Sequence, residues 1–400
     1  MTAFFVEKSC KTDQEARMKL PASMTTASVE DLLRDLGDAV NDLELTVPTR
    51  ARHQAAGAEA ALVQALATWS NDASVSKLRT YAKSADDDQI AHLASRLYGL
   101  AALLLADEIL ALDGGDLTRV ARGEAMARLR LLGKEDPFSA SRGPQLEIVC
   151  ADHLAMAHPA SIYTFDENGT ASIKELPAFR RIVESVIIGR IVGAPYRKSL
   201  PSGFDRTLSV ALYELMRNTE EHGRGDGSGN LRDKSIRGFQ ARKFALEPKR
   251  LASITSGSEP LHQYCSDLLP ARAGNAQTQL IEISVFDTGP GMGPSLTGIA
   301  PDQLTYEEEL KAVSKCFCKN VSRKHSSSSG LGLPNLADVL TRSGGFMRLR
   351  TGRCALFANF REDPVQEFGK GPVLRSWFGS EVPAPKVNGT LFTLIIPLRA

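Results

Sequence analysis

In LSVALYELMRNTEEHG, residues 208–223, a carboxylate, an amide and an imidazole recur at four-residue spacing as Glu214, Asn218 and His222. A helix would stack the three along one line, on a different face from the apolar Leu208, Leu212, Leu215 and Met216. Any one of them alone reads as part of a solvated helix face. Seen alone, the helix decides nothing. In SVFDTGPGMG, residues 284–293, Asp287 stands where an apolar strand ends, so its carboxylate could accept a hydrogen bond from the exocyclic amine of a base. Gly289, Gly291 and Gly293 would turn the backbone with positive φ and admit a planar ring that a Cβ would exclude. A plain glycine-rich loop is the competing reading. A third stretch, SSSSGLGLPNLADVLTRSGG at 326–345, runs a Ser/Gly loop straight into an amphipathic helix. The unpaired N–H groups and positive end of that helix suit phosphate, although neither P-loop spacing nor a dinucleotide-site context is present.

The elements that must position these residues follow from periodicity. Residues 1–40 read as a polar lead-in and the helix SVEDLLRDLGDAV. Strand-like ELTVP, helical GAEAALVQALATWSN, strand-like KLRTYA and a long helix over DDDQIAHLASRLYGLAALLLADEIL then alternate, giving a small α/β domain over 41–195. The Pro- and Gly-flanked stretch APYRKSLPSG marks a boundary near 196. Beyond it the spacing predicts helix 204–222, a charged insertion over 225–278, strand 279–286, an irregular segment 288–330, helix 331–343, strand 345–351, a second insertion over 353–388 and strand 390–396. Helices beside mostly antiparallel strands make an α+β sandwich over 196–400.

The bulk numbers exclude several classes. At 42% hydrophobic and 24% charged residues, the chain is globular rather than disordered. A net charge of +1 gives no long-range pull toward nucleic acid or an anionic membrane. Six scattered cysteines lack the spacing of a disulfide framework or a zinc ribbon; Cys316, Cys318 and His325 have no second ligand pair. The charged N-terminus and the short apolar run LYGLAALLLADEILAL argue against a signal peptide and a membrane span, so a cytoplasmic location is expected.

The order ExxxNxxxH, DxGxGMG, GLGL before a helix, and GTLFTLIIP at 389–397 resembles that of the GHKL superfamily of ATP-binding domains. That superfamily includes sensor histidine kinases, gyrase-type topoisomerases, mismatch-repair ATPases and heat-shock chaperones. The resemblance covers about residues 200–398 and implies a two-layer α/β sandwich of the Bergerat type with ATP and Mg²⁺ as cofactors. It implies that Asn218 holds Mg²⁺, that Glu214 orients or deprotonates the attacking water, and that His222 lies near the phosphates. Asp287 would bind the adenine amino group, with Gly289, Gly291, Met292 and Gly293 around the ring and Thr390 supporting it. Gly330, Leu331, Gly332 and Leu333 would wrap the phosphates. Residues 294–329 would be a mobile lid, from which Lys319 or Lys324 could reach the γ-phosphate.

Departures from the pattern bear on function. The gap between Glu214 and Asp287 is longer than in a sensor kinase, and its stretch 230–250 has seven Lys/Arg against two acids. That run could meet a nucleic acid backbone or an acidic partner; a merely solvated insertion is the preferred reading. The N-terminal half has no histidine-centred helical pair, and His53 and His92 read as structural. The leading expectation is a Mg²⁺-dependent ATPase whose lid closure changes domain or dimer packing. The alternatives are a kinase acting on a separate protein and a nucleotide-gated binding module.

Overall fold

Two sheets organise the computed structural model, which describes residues 17–20, 22–38, 43–50, 53–85, 88–140, 143–154, 158–227, 230–269, 277–319, 332–379 and 382–398. The N-terminal unit runs β1 (Arg17–Lys19), β2 (Ser23–Met24), α1 (Thr26–Asp38), β3 (Glu44–Thr46), β4 (His53–Gln54), α2 (Ala58–Asp72), β5 (Lys77–Arg79), α3 (Gln89–Ala94), α4 (Leu97–Leu105), β6 (Glu108–Leu110) and α5 (Thr118–Leu132). Strands β1, β3, β5 and β6 pair in that order, all parallel. Parallel neighbours need crossovers, supplied by α1, α2 and the α3–α4 pair. α2 is apolar nearly all round and rich in alanine, so it is buried from Ala58 to Ser70.

The single long helix expected after residue 86 is broken. α3 stops at Ala94, Arg96 is extended (φ −105°, ψ 142°), and α4 restarts at Leu97. The Glu59 carboxylate from α2 accepts from Leu97 N at 3.1 Å and satisfies one of the donors that a helix start leaves open. Gly99 lets α4 lie against the end of α3, where a Cβ would overlap the Leu93 carbonyl.

The second unit contains β7 (Gln145–Ala151), β8 (Tyr163–Phe165), β9 (Ala171–Ile173), α6 (Leu176–Arg181) continuing as a π-helical stretch (Ile182–Val192), α7 (Ala194–Arg197), α8 (Phe204–His222), β10 (Ile236–Leu246), α9 (Leu251–Ile254), α10 (Glu259–Leu268), β11 (Thr278–Phe286), α11 (Met292–Thr297), α12 (Tyr306–Cys316), α13 (Gly332–Ser343), β12 (Phe346–Gly352), β13 (Cys354–Asn359), β14 (Arg375–Ser376) and β15 (Val387–Leu398). Among the described residues, seven of these strands form one antiparallel sheet in the order β14-β13-β12-β15-β11-β10-β7. The sheet takes β7 from the 41–195 stretch, β10 from the 225–278 stretch, and β13 and β14 from the 353–388 stretch, so strand pairing crosses the boundaries expected from composition. The chain is therefore mixed α and β, with one parallel and one antiparallel sheet.

Alternation along the strands gives the antiparallel sheet two different faces. Ile148, Phe239, Ile283, Leu349 and Leu394 form one core with α8, α13 and the π-helical stretch. The opposite face carries Glu147, Gln240, Glu282, Arg348, Arg350 and Thr393, all buried, and α1 and α2 of the N-terminal unit cover it. Among the described residues no helix is long and apolar enough to cross a membrane.

Candidate functional site

α8 is amphipathic, as its spacing predicts, and its long axis lies against α13. Glu214 is buried, Asn218 half-buried and His222 exposed, so the acid sits deepest of the three. The Glu214 carboxylate pairs with Arg217 Nη2 at 2.9 Å. Burial raises its pKa, Arg217 opposes the rise and Glu221 adds to it. Gly332, the first residue of α13, rests on Glu214, where a Cβ would overlap the Glu214 side chain. Leu333 is buried beside it. The acid-bearing face of α8 and the start of α13 therefore meet.

The other end of α8 seats the loop that follows β11. A Cβ on Gly223 would stand 2.7 Å from Asp287 Cβ, and one on Gly289 would overlap the His222 carbonyl. Asp287 N donates to Thr390 O at 3.0 Å. Its Oδ1 accepts from Gly289 N at 2.9 Å and Thr390 N at 3.2 Å. Among the described residues nothing hydrogen-bonds Oδ2, so two backbone donors fix the carboxylate and leave one oxygen uncommitted. Burial pushes the Asp287 pKa up to about 6, against the pull of those N–H groups and of Arg237 and Arg232.

Of the three glycines in this loop, only Gly291 has positive φ, at 93°. The expectation that all three turn that way is corrected: Gly289 and Gly293 are needed for close approach between protein elements. Gly289 packs on the end of α8, and a Cβ on Gly293 would stand 2.9 Å from Glu309 Cγ in α12. Gly291 lies against Thr351, whose Oγ1 accepts from Met292 N at 2.9 Å and lies 3.2 Å from Thr390 Oγ1. Asp287, Gly291, Met292 and Thr390 thus share one hydrogen-bonded corner between β11, β12 and β15.

No family model matches the chain, and no curated protein or solved structure matches it. The site must be judged on its own geometry.

Residues that the sequence reading did not single out support this corner from below. Thr288 Oγ1 accepts from Ile236 N and bonds Ser235 Oγ, each at 3.2 Å; Ser235 Oγ donates to Asp152 Oδ2 at 2.9 Å. Asp152 is forked by the fully buried Arg237, which also reaches Glu220 of α8 at 2.6 Å and Tyr163 Oη at 2.6 Å. This chain of charge-assisted bonds locks β7, β10 and α8 under the Asp287 loop. A charged residue in the middle of the strand sequence IRGFQA was the available signal.

The expected lid differs from its description. Of the segment 294–329, read as irregular, residues 294–319 hold α11 and α12, while residues 320–329, with the Ser run behind the expected mobility, lie outside the described residues. A Thr305–Glu308 capping box starts α12, while buried Val313 and Phe317, edge-on to Phe392 at 6.3 Å, fasten it down. Lys319 is exposed, and its N donates to Gly369 O at 3.0 Å. Lys324, Gly330 and Leu331 lie outside the described residues.

The basic run 230–250 is largely paired within the protein. Lys234 meets Asp107 at 2.6 Å, Arg242 meets Glu282 at 2.9 Å, and Arg237 is bound as above. Of its cations, Lys249 and Arg250 are exposed. His92 is tied to Asp88 O at 2.8 Å and Arg50 at 3.0 Å, in keeping with a structural role.

A divalent cation can be tested against the donors present. Among the described residues no group of three or more His, Cys, Asp or Glu could hold a metal. Asn218 offers one amide oxygen on the Glu214 face. That donor set fits magnesium, which keeps waters and substrate phosphate oxygens and asks little of the protein.

Proposed function

We propose that the second unit binds ATP with Mg²⁺ between α8, the Asp287 loop and the start of α13, and hydrolyses it. The observation that carries this reading is the Asp287 carboxylate: oriented through Oδ1 by two backbone N–H groups, open at Oδ2, and seated where a central strand ends beside the acid-bearing helix. Such a carboxylate reads an exocyclic amine by accepting its hydrogen bond. The motif order shared with the GHKL superfamily supports the same assignment. Asn218 would hold the Mg²⁺, which when bound neutralises phosphate charge.

Glu214 would orient and deprotonate the attacking water. Burial raises its pKa, and the Arg217 guanidinium at 2.9 Å opposes that rise. Its contact with Gly332 links that base to the helix whose N-terminal turn faces the phosphates. Lys319, exposed just after α12, is the one of the two expected lid cations that lies among the described residues, and it would meet a terminal phosphate.

The experiment is calorimetry with Mg·ATP on the wild type and Asp287→Asn, with phosphate release measured for Glu214→Ala. Binding should weaken at least about tenfold in Asp287→Asn, a loss comparable to that of a charge-assisted hydrogen bond. Glu214→Ala should bind and not release phosphate. Unchanged release in Glu214→Ala would overturn Glu214 as the base, and binding by the wild type without any phosphate release would leave transfer to a protein partner as the reading to pursue.

A further inference from the structure

Three consecutive residues at the start of β15 touch three different parts of the molecule. Asn388 is held by the N-terminal unit: its N donates to Thr68 Oγ1 of α2 at 2.9 Å and its Nδ2 to Asp72 Oδ1 at 3.1 Å. Gly389 N donates to Gly289 O at 2.6 Å. Thr390 N donates to Asp287 Oδ1 at 3.2 Å. Arg232, from the segment after α8, closes the group by donating to Asn388 Oδ1 at 3.1 Å and Gly225 O at 3.3 Å. Gly389 has φ 79°, and a Cβ there would overlap the Asp287 carbonyl, so strap and loop touch only because position 389 carries no side chain.

A cleft of about 250 Å³ opens at this junction, walled by Asp72, Arg232, Pro290, Glu309, Arg353 and Asn388. These six come from α2, the segment after α8, the Asp287 loop, α12, the β12–β13 turn and β15. Glu309 of α12 accepts from Arg353 N at 3.1 Å and Arg353 Nε at 2.9 Å, so the lid helix is tied to the same place. Close-packed interiors pass displacement on, and a cleft leaves room on one side for the loop and the lid helix to shift.

We propose that the N-terminal unit reads the state of the Asp287 site through the strap Asn388–Thr390, so that ligand at Asp287 and docking of α2 control each other. Coupling between two sites is reciprocal: what tightens the loop tightens α2, and loosening α2 weakens the ligand. The ligand half of this statement rests on the nucleotide reading above; the mechanical half does not.

The test uses the full chain and three variants on α2, outside the candidate site. Thr68→Val removes the acceptor for Asn388 N at constant shape, Thr68→Ser keeps it, and Asp72→Ala cuts the side-chain bond at an exposed helix end. Amide hydrogen exchange is first measured without ligand. In Thr68→Val the Asp287 and Gly289 amides should exchange about tenfold faster, with Thr68→Ser near the wild type and the β11 interior unchanged. Acceleration confined to α2 would overturn the strap. Should Thr68→Val fail to fold, Asp72→Ala gives the same comparison. Calorimetry with Mg²⁺ and a non-hydrolysable ATP analogue follows, and affinity should fall about tenfold in Thr68→Val and not in Thr68→Ser. Equal affinities in all three would overturn the coupling. No heat with the wild type would overturn the nucleotide reading, while the exchange comparison still decides the strap.

Discussion

On one face of the antiparallel sheet Phe239, Ile283 and Leu394 are fully buried against α8, α13 and their neighbours; one residue along the same strands Gln240, Glu282 and Thr393 are almost as deeply buried against the N-terminal unit. Equal burial hides opposite chemistry. Apolar burial needs no direction and stabilises by roughly 25 cal/mol per Å² removed from water, so the helix-covered face commits α8 and α13 to the sheet. The polar face must pair every charge, and a buried pair barely recovers its desolvation cost. Glu30 of α1 alone serves Arg348 at 2.7 Å and Arg350 at 3.0 Å. Burial beside Arg350 lowers the Arg348 pKa to about 10 despite Glu30. Nearby, Glu59, Glu147 and Glu282 face Arg128 and Arg242, and burial with Glu59 close by pushes Glu147 up to about 7. The charges specify where the N-terminal unit sits, while Val149, Ile236, Phe286 and Leu391 extend that unit's own hydrophobic core onto the sheet.

Breaking the apolar face should cost most. Leu394→Ala should lose roughly 3 kcal/mol and lower one cooperative melting transition of the whole chain, as measured by calorimetric unfolding. Breaking the polar face should differ in kind. Glu30→Ala removes the carboxylate from two buried guanidinium groups, of which Arg350 keeps the Gly352 and Cys354 carbonyls, at a cost of up to about 3 kcal/mol, limited by what undocking of the N-terminal unit requires. It should split unfolding into two transitions, the N-terminal unit melting first. A single transition in both variants would make the two faces equivalent and remove the distinction.

The smallest effect is a pH slope. The folded Glu147 holds its proton more firmly than the unfolded one, so between about 4.5 and about 7 the folded state binds more protons and stability falls as pH rises. The contribution is fully present below the unfolded value and lost through the folded one. Glu147→Gln should flatten that fall in denaturant titrations at several pH values.

The sequence disclosed what depends on local pattern. α8, α2 and β11 follow from 3.6-residue spacing, alanine content and an apolar run that ends at Asp287. The long-range features were not legible. The α3–α4 break relies on a cap from Glu59, a residue of another helix. The charges of 230–250 look available until Asp107, Asp152 and Glu282 are brought beside them. Gly289 and Gly293 read as turns that make room for a ring, yet each lets one protein element touch another. α12 looked irregular because its anchor, Phe392, lies far along the chain. The corner of Asp287, Thr351 and Thr390 needs three strands in register, and only two of its members lay in recognisable motifs.

The central claim is that Asp287 receives a purine amine. Titration of the wild type with Mg·ATP across pH tests it most directly. Affinity should hold above pH 7 and fall as pH drops through about 6, where the Asp287 carboxylate takes up its proton; Asp287→Asn should bind weakly throughout without that dependence. Heat that is absent at every pH, or affinity that is the same in wild type and Asp287→Asn, would contradict the account.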